Sequence, residues 1–218
     1  IVSLLEMQEI TKTFPGVVAN DHVSFDLEQG EVHALVGENG AGKTTLMKIL
    51  YGLYEPDEGR ILINDEPVRI NGTRDAILKG IGMVHQHFML VPVFSVLDNV
   101  ILGSEREMVG GVQEPEESDL LKKIVRRLYL DKRPARKRLE ELIERNRLDV
   151  ELDRRVGELP VGIQQRVEIL KILYRGAKVL VFDEPTAVLS PQEIDGLFDS
   201  FRQLTEQGKG VIFITHNL

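Results

Sequence analysis

Residues 37–45 read Gly-Glu-Asn-Gly-Ala-Gly-Lys-Thr-Thr, which satisfies G-x-x-x-x-G-K-[ST], and no other stretch limits the fold of this chain so tightly. Such a loop needs a strand leading in and a helix leading out. Glu31–Val36 supplies the first, with apolar Val32, Ala34, Leu35 and Val36, and Thr44–Leu53 supplies the second, with Leu46, Met47, Ile49 and Leu50 at helical spacing. Glycines at 37, 40 and 42 let the backbone turn tightly. The N–H groups running from Gly37 through Asn39, Gly40, Ala41 and Gly42 to Thr45 then face inward, and with the helix N-terminus they favour a bound anion. Lys43 can reach the β- and γ-phosphates of a nucleotide, and the Thr44 hydroxyl can ligate Mg²⁺. The plain alternative is a glycine-rich turn with an exposed lysine. It loses ground because fewer than about one in a hundred random chains of this length would carry the pattern by chance.

A second element lies far downstream. Val179-Leu180-Val181-Phe182 is a fully apolar run ending in Asp183-Glu184. An all-apolar strand is buried on both faces, as in a parallel sheet, and the carboxyl ends of such strands are where these sheets place ligands. Asp183 is then a Mg²⁺ ligand, directly or through water, and Glu184 polarises an attacking water. A pair of acids after a strand is usually just an exposed loop start; the phosphate loop is what raises their standing, because Mg-nucleotide chemistry needs a carboxylate at that strand end.

The chain has 218 residues, enough for one large α/β domain with a subdomain. Its formal charge of −8 argues against non-specific nucleic-acid binding as the main activity. It has no cysteine, hence neither a disulfide framework nor a Cys-based metal site. No N-terminal stretch has the form of a signal peptide, and no apolar run is long enough to cross a bilayer, so work at a membrane would need a partner. The first part reads as strands at Leu5–Ile10, Val17–Leu27, Glu31–Val36, Arg60–Ile63 and Val68–Ile70. From Asp119 to Asp153 the sequence is highly charged with helical periodicity, first Leu120, Ile124 and Leu128, then Leu139, Leu142 and Ile143. This predicts a helical insertion between two halves of a nucleotide-binding core. The basic run from Lys122 to Arg138 reads as a solvated helix face, since aromatic residues are nearly absent and acids resume at Glu140, Glu141 and Glu144.

The order and spacing of these motifs resemble the ATP-binding subunits of ABC transporters over nearly the whole chain. The resemblance adds further site residues. Gln86, after the strand Gly82–His85, falls where that family has a glutamine that helps coordinate Mg²⁺ and senses the γ-phosphate. His216, after the apolar strand Gly210–Thr215, falls at the family's switch histidine, and Phe14 at its adenine-stacking aromatic. It implies a P-loop α/β core with a mixed, mainly parallel sheet, an N-terminal antiparallel β portion and a helical subdomain. The expected division is 1–86, 87–165 and 166–218.

The departure from the family pattern lies at its signature. Leu-Ser-Gly-Gly-Gln is replaced by Leu159-Pro160-Val161-Gly162-Ile163, followed by Gln164-Gln165-Arg166 and a helix-like run to Tyr174. In that family ATP is held between two head-to-tail domains, one giving the phosphate loop and the other the signature, whose serine hydroxyl and glycine N–H groups approach the γ-phosphate. Pro160 has neither hydroxyl nor N–H, and Val161 is bulkier than glycine. The expectation is a weakened site where this signature is the completing half, and an intact one on the chain's own Lys43, Asp183 and Glu184. That asymmetry implies a partner domain with a fuller signature. Ala187-Val188-Leu189-Ser190 also lacks the terminal Asp common in the family at a cross-domain contact.

The runs Val84–Pro92 and Pro160–Glu168 look most like the first half of tandem ATPases serving simple-sugar and nucleoside importers. That likeness implies ATP and Mg²⁺ as cofactors and a second ATPase domain, either a tandem half or a homodimer partner. It further implies a transmembrane permease docked near the apolar Phe88–Leu97, an extracellular substrate-binding protein acting indirectly, and a peripheral place on the cytoplasmic face of the membrane. The sequence stops at Leu218, just past His216, where family members continue, so a longer two-ATPase polypeptide is expected. Two other readings stay open: an ATP-dependent assembly module with little turnover, and a non-transport ABC ATPase.

Overall fold

The computed structural model describes residues 3–86, 88–104 and 132–216. The charged segment around Leu120, Lys122, Ile124 and Leu128 and residue His87 lie outside these residues.

Two four-stranded sheets form, and strand direction separates them. The N-terminal strands β1 (Ser3–Phe14) and β2 (Val17–Glu28) pair antiparallel about a tight turn at Pro15-Gly16, and β4 (Glu58–Ile63) and β5 (Glu66–Val68) extend them in the order β2-β1-β4-β5. The second sheet is wholly parallel, in the order β3-β8-β7-β6, from β3 (Val32–Val36), β6 (Ile81–Val84), β7 (Val179–Asp183) and β8 (Gly210–Thr215). The expected mixed sheet is thus resolved into an antiparallel and a parallel layer. Hairpin turns can join only antiparallel neighbours, and the helical crossovers that follow β3, β6 and β7 join parallel ones.

The apolar strands are buried on both faces. Val179 and Val181 of β7, with Ile212 and Ile214 of β8, pack toward the antiparallel sheet, α1 (Lys43–Leu50) and α2 (Thr73–Leu78). Leu180 and Phe182, with Val211 and Phe213, pack into a second cluster. There they meet α3 (Val96–Ile101), α4 (Arg133–Arg145), α5 (Val161–Tyr174) and α6 (Pro191–Glu206). Period-two alternation therefore divides one strand between two cores, which is why no polar position could be spared in it.

Helix α1 stops at Leu50, short of the predicted Leu53. Gly52 takes φ +74° directly against the backbone of Gly72, with no room for a side chain, and the chain turns away there. Of the predicted insertion, α4 is described. It buries Leu139 fully while Leu142 and Ile143 pack at the cluster's margin, as the spacing requires. The proposed boundary after residue 86 falls just beyond β6. The one after 165 falls inside α5, whose first turn and remainder form a single helix.

Candidate functional site

Strand β3 ends at Val36 and α1 begins at Lys43, so residues 37–42 form the loop between a parallel strand and a helix. Gly40 and Gly42 both sit at φ +85°. At Gly42 the constraint is doubled, because a Cβ there would lie 2.1 Å from the Ala19 carbonyl oxygen. The Gly42 carbonyl opens the helix by accepting from Leu46 N–H at 2.9 Å, and the Asn20 amide also donates to it at 3.3 Å. Lys43 curls over the loop and donates to the carbonyls of Gly37 (2.6 Å) and Glu38 (2.9 Å). Lys43 also lines a cavity of about 390 Å³, together with Phe14, Val17, Ala19, the other residues of 39–45 and Glu184.

Across this loop stands the end of β7. The Thr44 hydroxyl donates to Asp183 Oδ1 at 3.2 Å, joining residues 139 positions apart. Burial pushes the Asp183 carboxyl above its ordinary range, against the opposing pull of the Thr44 hydrogen bond and the Lys48 charge. A buried carboxylate beside a hydroxyl is a donor pair that a hard divalent cation fits, and such a cation would supply the countercharge that burial denies. Among the described residues no group of three or more acidic or histidine side chains could hold a metal ion. A cation here would therefore take its remaining ligands from phosphate oxygens and water, the usual habit of Mg²⁺.

Glu184 directly follows, in the left-handed region at φ +51°, with its N–H donating to the Ile214 carbonyl at 3.1 Å. A non-glycine residue held there stores about 1–3 kcal/mol of strain, a cost that clusters at functional positions. The conformation turns the carboxylate back to the cavity, where His216 Nδ1 lies 2.8 Å from one oxygen and 3.0 Å from the other. The pairing of β7 with β8, ending at Asp183 opposite Ile214, delivers both residues to the same end of the sheet.

The structure therefore brings together Lys43, Thr44, Asp183, Glu184 and His216, with the loop residues Gly37, Asn39, Gly40, Ala41, Gly42 and Thr45. Phe14 lines the cavity with its ring edge-on to Tyr54 at 5.4 Å between centroids. Gln86 is exposed beyond β6, at the same end of the sheet but off the cavity wall. Pro160, Val161 and Gly162 are also outside that wall, at the exposed start of α5. Sequence reasoning missed Val17 and Ala19. Their separation of two along β2 is the signal that they share a face, but nothing in the pattern says which face meets the loop. It also missed Gln165, buried in α5, whose amide donates to the Pro185 carbonyl at 3.0 Å and ties that helix to the segment after Glu184.

A glycine-rich loop opening a helix at the carboxyl end of a parallel sheet, with a carboxylate pair at the end of a strand two places away in that sheet, defines a phosphate-loop nucleotide-binding fold. Residues 20–187 match the ABC transporter family, and the chain belongs to it. It is 50% identical over 98% of its length to the glucose import ATP-binding protein TsgD13 of Haloferax volcanii, covering 41% of that protein. It is 47% identical to the nucleoside import ATP-binding protein NupA of Lactococcus lactis subsp. cremoris, with 99% of the chain aligned to 39% of the relative. The chain thus spans about two fifths of the length of these relatives. Among solved structures, a nucleotide-free ATP-binding cassette from an ABC transporter superposes with a TM-score of 0.82 at 26% identity, over 99% of this chain and 82% of that one. The ADP conformation of an ATP-binding cassette gives 0.79 at 26% identity, over 100% and 83%.

Proposed function

We propose that this chain is an ATP-binding and hydrolysing domain that powers import of a sugar or nucleoside through a membrane permease. The observation that carries the reading is the convergence at one end of the parallel sheet of the Gly37–Thr45 loop, the Thr44–Asp183 pair and Glu184 with His216, beside the cavity that the loop and Glu184 line. The import direction and cargo class are taken from the names of the relatives, which are glucose, nucleoside, guanosine and ribose import proteins.

In this reading the loop N–H groups and Lys43 hold the β- and γ-phosphates, and Lys43 exchanges its two carbonyl acceptors for phosphate oxygens. Thr44 and Asp183 would hold Mg²⁺, which would neutralise charge on the phosphates, and Gln86 would have to move in from the end of β6 to join them. Phe14 stacks on adenine at the outer wall. Glu184 accepts a proton from the attacking water, and His216, within hydrogen-bond distance of that carboxylate, orients it and faces the γ-phosphate. The chemistry is then mainly positional and electrostatic.

Pro160, Val161 and Gly162 would face the nucleotide of a second ATPase domain, a tandem half or a second copy. Because Pro160 offers no hydroxyl, that half-site is the weaker of the two. The partner would bring the fuller signature to Lys43 and Glu184. Beyond Gln86, Met89, Val93 and Phe94 are exposed while Val96 and Leu97 are buried, so the Phe88–Leu97 run splits into a core anchor and an apolar surface. That surface is where we place the permease contact. Among the described residues no helix is long and apolar enough to cross a membrane. A peripheral position at the cytoplasmic face, with an extracellular binding protein handing cargo to the permease, completes the proposal.

Equilibrium ATP binding with and without Mg²⁺ tests the site. Lys43→Ala should weaken binding by at least tenfold. Glu184→Gln should leave binding unchanged while lowering turnover of the assembled transporter by roughly 10²-fold or more. Unchanged turnover would remove Glu184 from the role of base.

A further inference from the structure

Gly162 lies in the first turn of α5 and Ser190 caps α6, yet one side chain serves both. Glu193, in the first turn of α6, accepts from Gly162 N–H through Oε1 at 2.9 Å. Its Oε2 accepts from Ser190 N–H at 2.9 Å and from the Ser190 hydroxyl at 2.8 Å. The Ser190 bonds form a capping box within α6, a local device that sequence alone would allow. The bond to Gly162 is different, because it crosses 31 residues to the first turn of α5.

That first turn needs an outside acceptor. A helix leaves its leading N–H groups without intrahelical partners, and the residue before it normally supplies a side-chain oxygen. Here Pro160 occupies that place and has none to give. The Glu193 carboxylate takes over the duty, and its charge also suits the positive end of the α5 dipole. The approach is close. A Cβ at Gly162 would lie 2.5 Å from Glu193 Oε1 and 2.9 Å from its Cγ, so glycine is what lets the carboxylate reach the backbone. The Ser190 and Gly162 hydrogen bonds together hold the Glu193 carboxyl below its ordinary range.

We propose that Glu193 is a positioning residue that clamps the start of α5 to the Ala187–Ser190 segment, so that Pro160–Gly162 and Ala187–Ser190 are presented to a partner domain as one rigid surface. The link to a partner rests on the paired-domain reading above; the clamp itself does not. It also explains how a signature without serine keeps an ordered first turn. With the carboxylate in place, the Gly162 N–H is already engaged, and this bond adds to the loss of the serine hydroxyl in weakening the half-site that α5 offers.

Amide hydrogen exchange on the whole chain, resolved at Gly162 and Ser190, tests the clamp. Glu193→Ala should speed exchange at both amides together by roughly tenfold or more, as expected for losing charge-assisted bonds. Exchange within the Gly37–Thr45 loop and ATP affinity should not change. Glu193→Gln has one acceptor oxygen in place of two, so it should protect one amide and release the other, a pattern that loosening of the fold would not produce. Faster exchange at Ser190 alone, with Gly162 unaffected in both variants, would reduce Glu193 to a local cap of α6 and overturn the proposal. Failure of the paired-domain reading would appear elsewhere, in the dependence of turnover on partner or concentration, and would leave this result standing.

Discussion

Gly42 and Asp57 show how single residues hold the cavity from two sides. Gly42 combines a φ of +85° with a backbone carbonyl 2.1 Å from where a Cβ would sit. Gly42→Ala therefore strains the backbone and drives β2 off the loop, a cost exceeding the ~1 kcal/mol of an ordinary glycine replacement. It should lower the melting temperature and abolish measurable ATP binding; a variant that still binds with wild-type affinity would show that the loop can re-form elsewhere. Asp57 fastens the strand that ends in Phe14, accepting from Lys12 Nζ at 2.7 Å and from the Thr13 backbone and hydroxyl at 2.7 and 2.8 Å. These bonds, Lys12 first, lower its pKa from 3.8 to about 2. A depressed carboxyl stabilises the fold above its unfolded pKa, and that stabilisation drains away as pH falls from 3.8 toward 2. Asp57→Asn should accordingly lower the melting temperature at neutral pH and flatten its fall with acid in that window, the variant and wild type converging below it. At this scale the phosphate loop and the Asp183-Glu184 pair were legible in the sequence because their chemistry is local. Glu193 was not, since nothing in Pro-Gln-Glu announces that its carboxylate reaches a glycine 31 residues away.

Among elements, a glycine sets how closely α5 packs on β6. Gly82 lies under α5 with no side chain between them, and a Cβ there would stand 2.8 Å from Ile172 Cβ and 3.0 Å from Ala177 Cβ. Gly82→Ala should force the helix off the sheet and cost about 1–3 kcal/mol, as overpacked cores do. Chemical denaturation would read this directly; a loss below about 0.5 kcal/mol would mean that α5 slides without penalty. Strand identity was readable from composition and alternation, with ends off by a few residues. β1 was longer than Leu5–Ile10 because its outer residues pair with β2 and β4 despite their polarity. An antiparallel N-terminal portion beside a mainly parallel core was implied by the family resemblance and by the all-apolar β7, but the strand order within each sheet, and the full separation of the two sheets, could not be read, since they depend on which connections carry helices and on how each strand divides its side chains between two cores.

As a whole molecule, the chain is a member of the ABC transporter family whose parallel sheet gathers distant residues at one end. Lys43, Asp183, Glu184 and His216 meet there, whereas Pro160–Gly162 lie apart from them at the start of α5. The central claim is that these are two unequal halves: a complete phosphate site on this chain, and a weak contribution to a partner's. Hydrolysis per molecule, followed against chain concentration with ATP binding measured in parallel, tests this most directly. The account predicts Lys43-dependent binding at every concentration with low turnover that does not rise. A rate per molecule that climbs with concentration would show that the Pro160-Val161 signature completes a site between two copies, and would contradict the account.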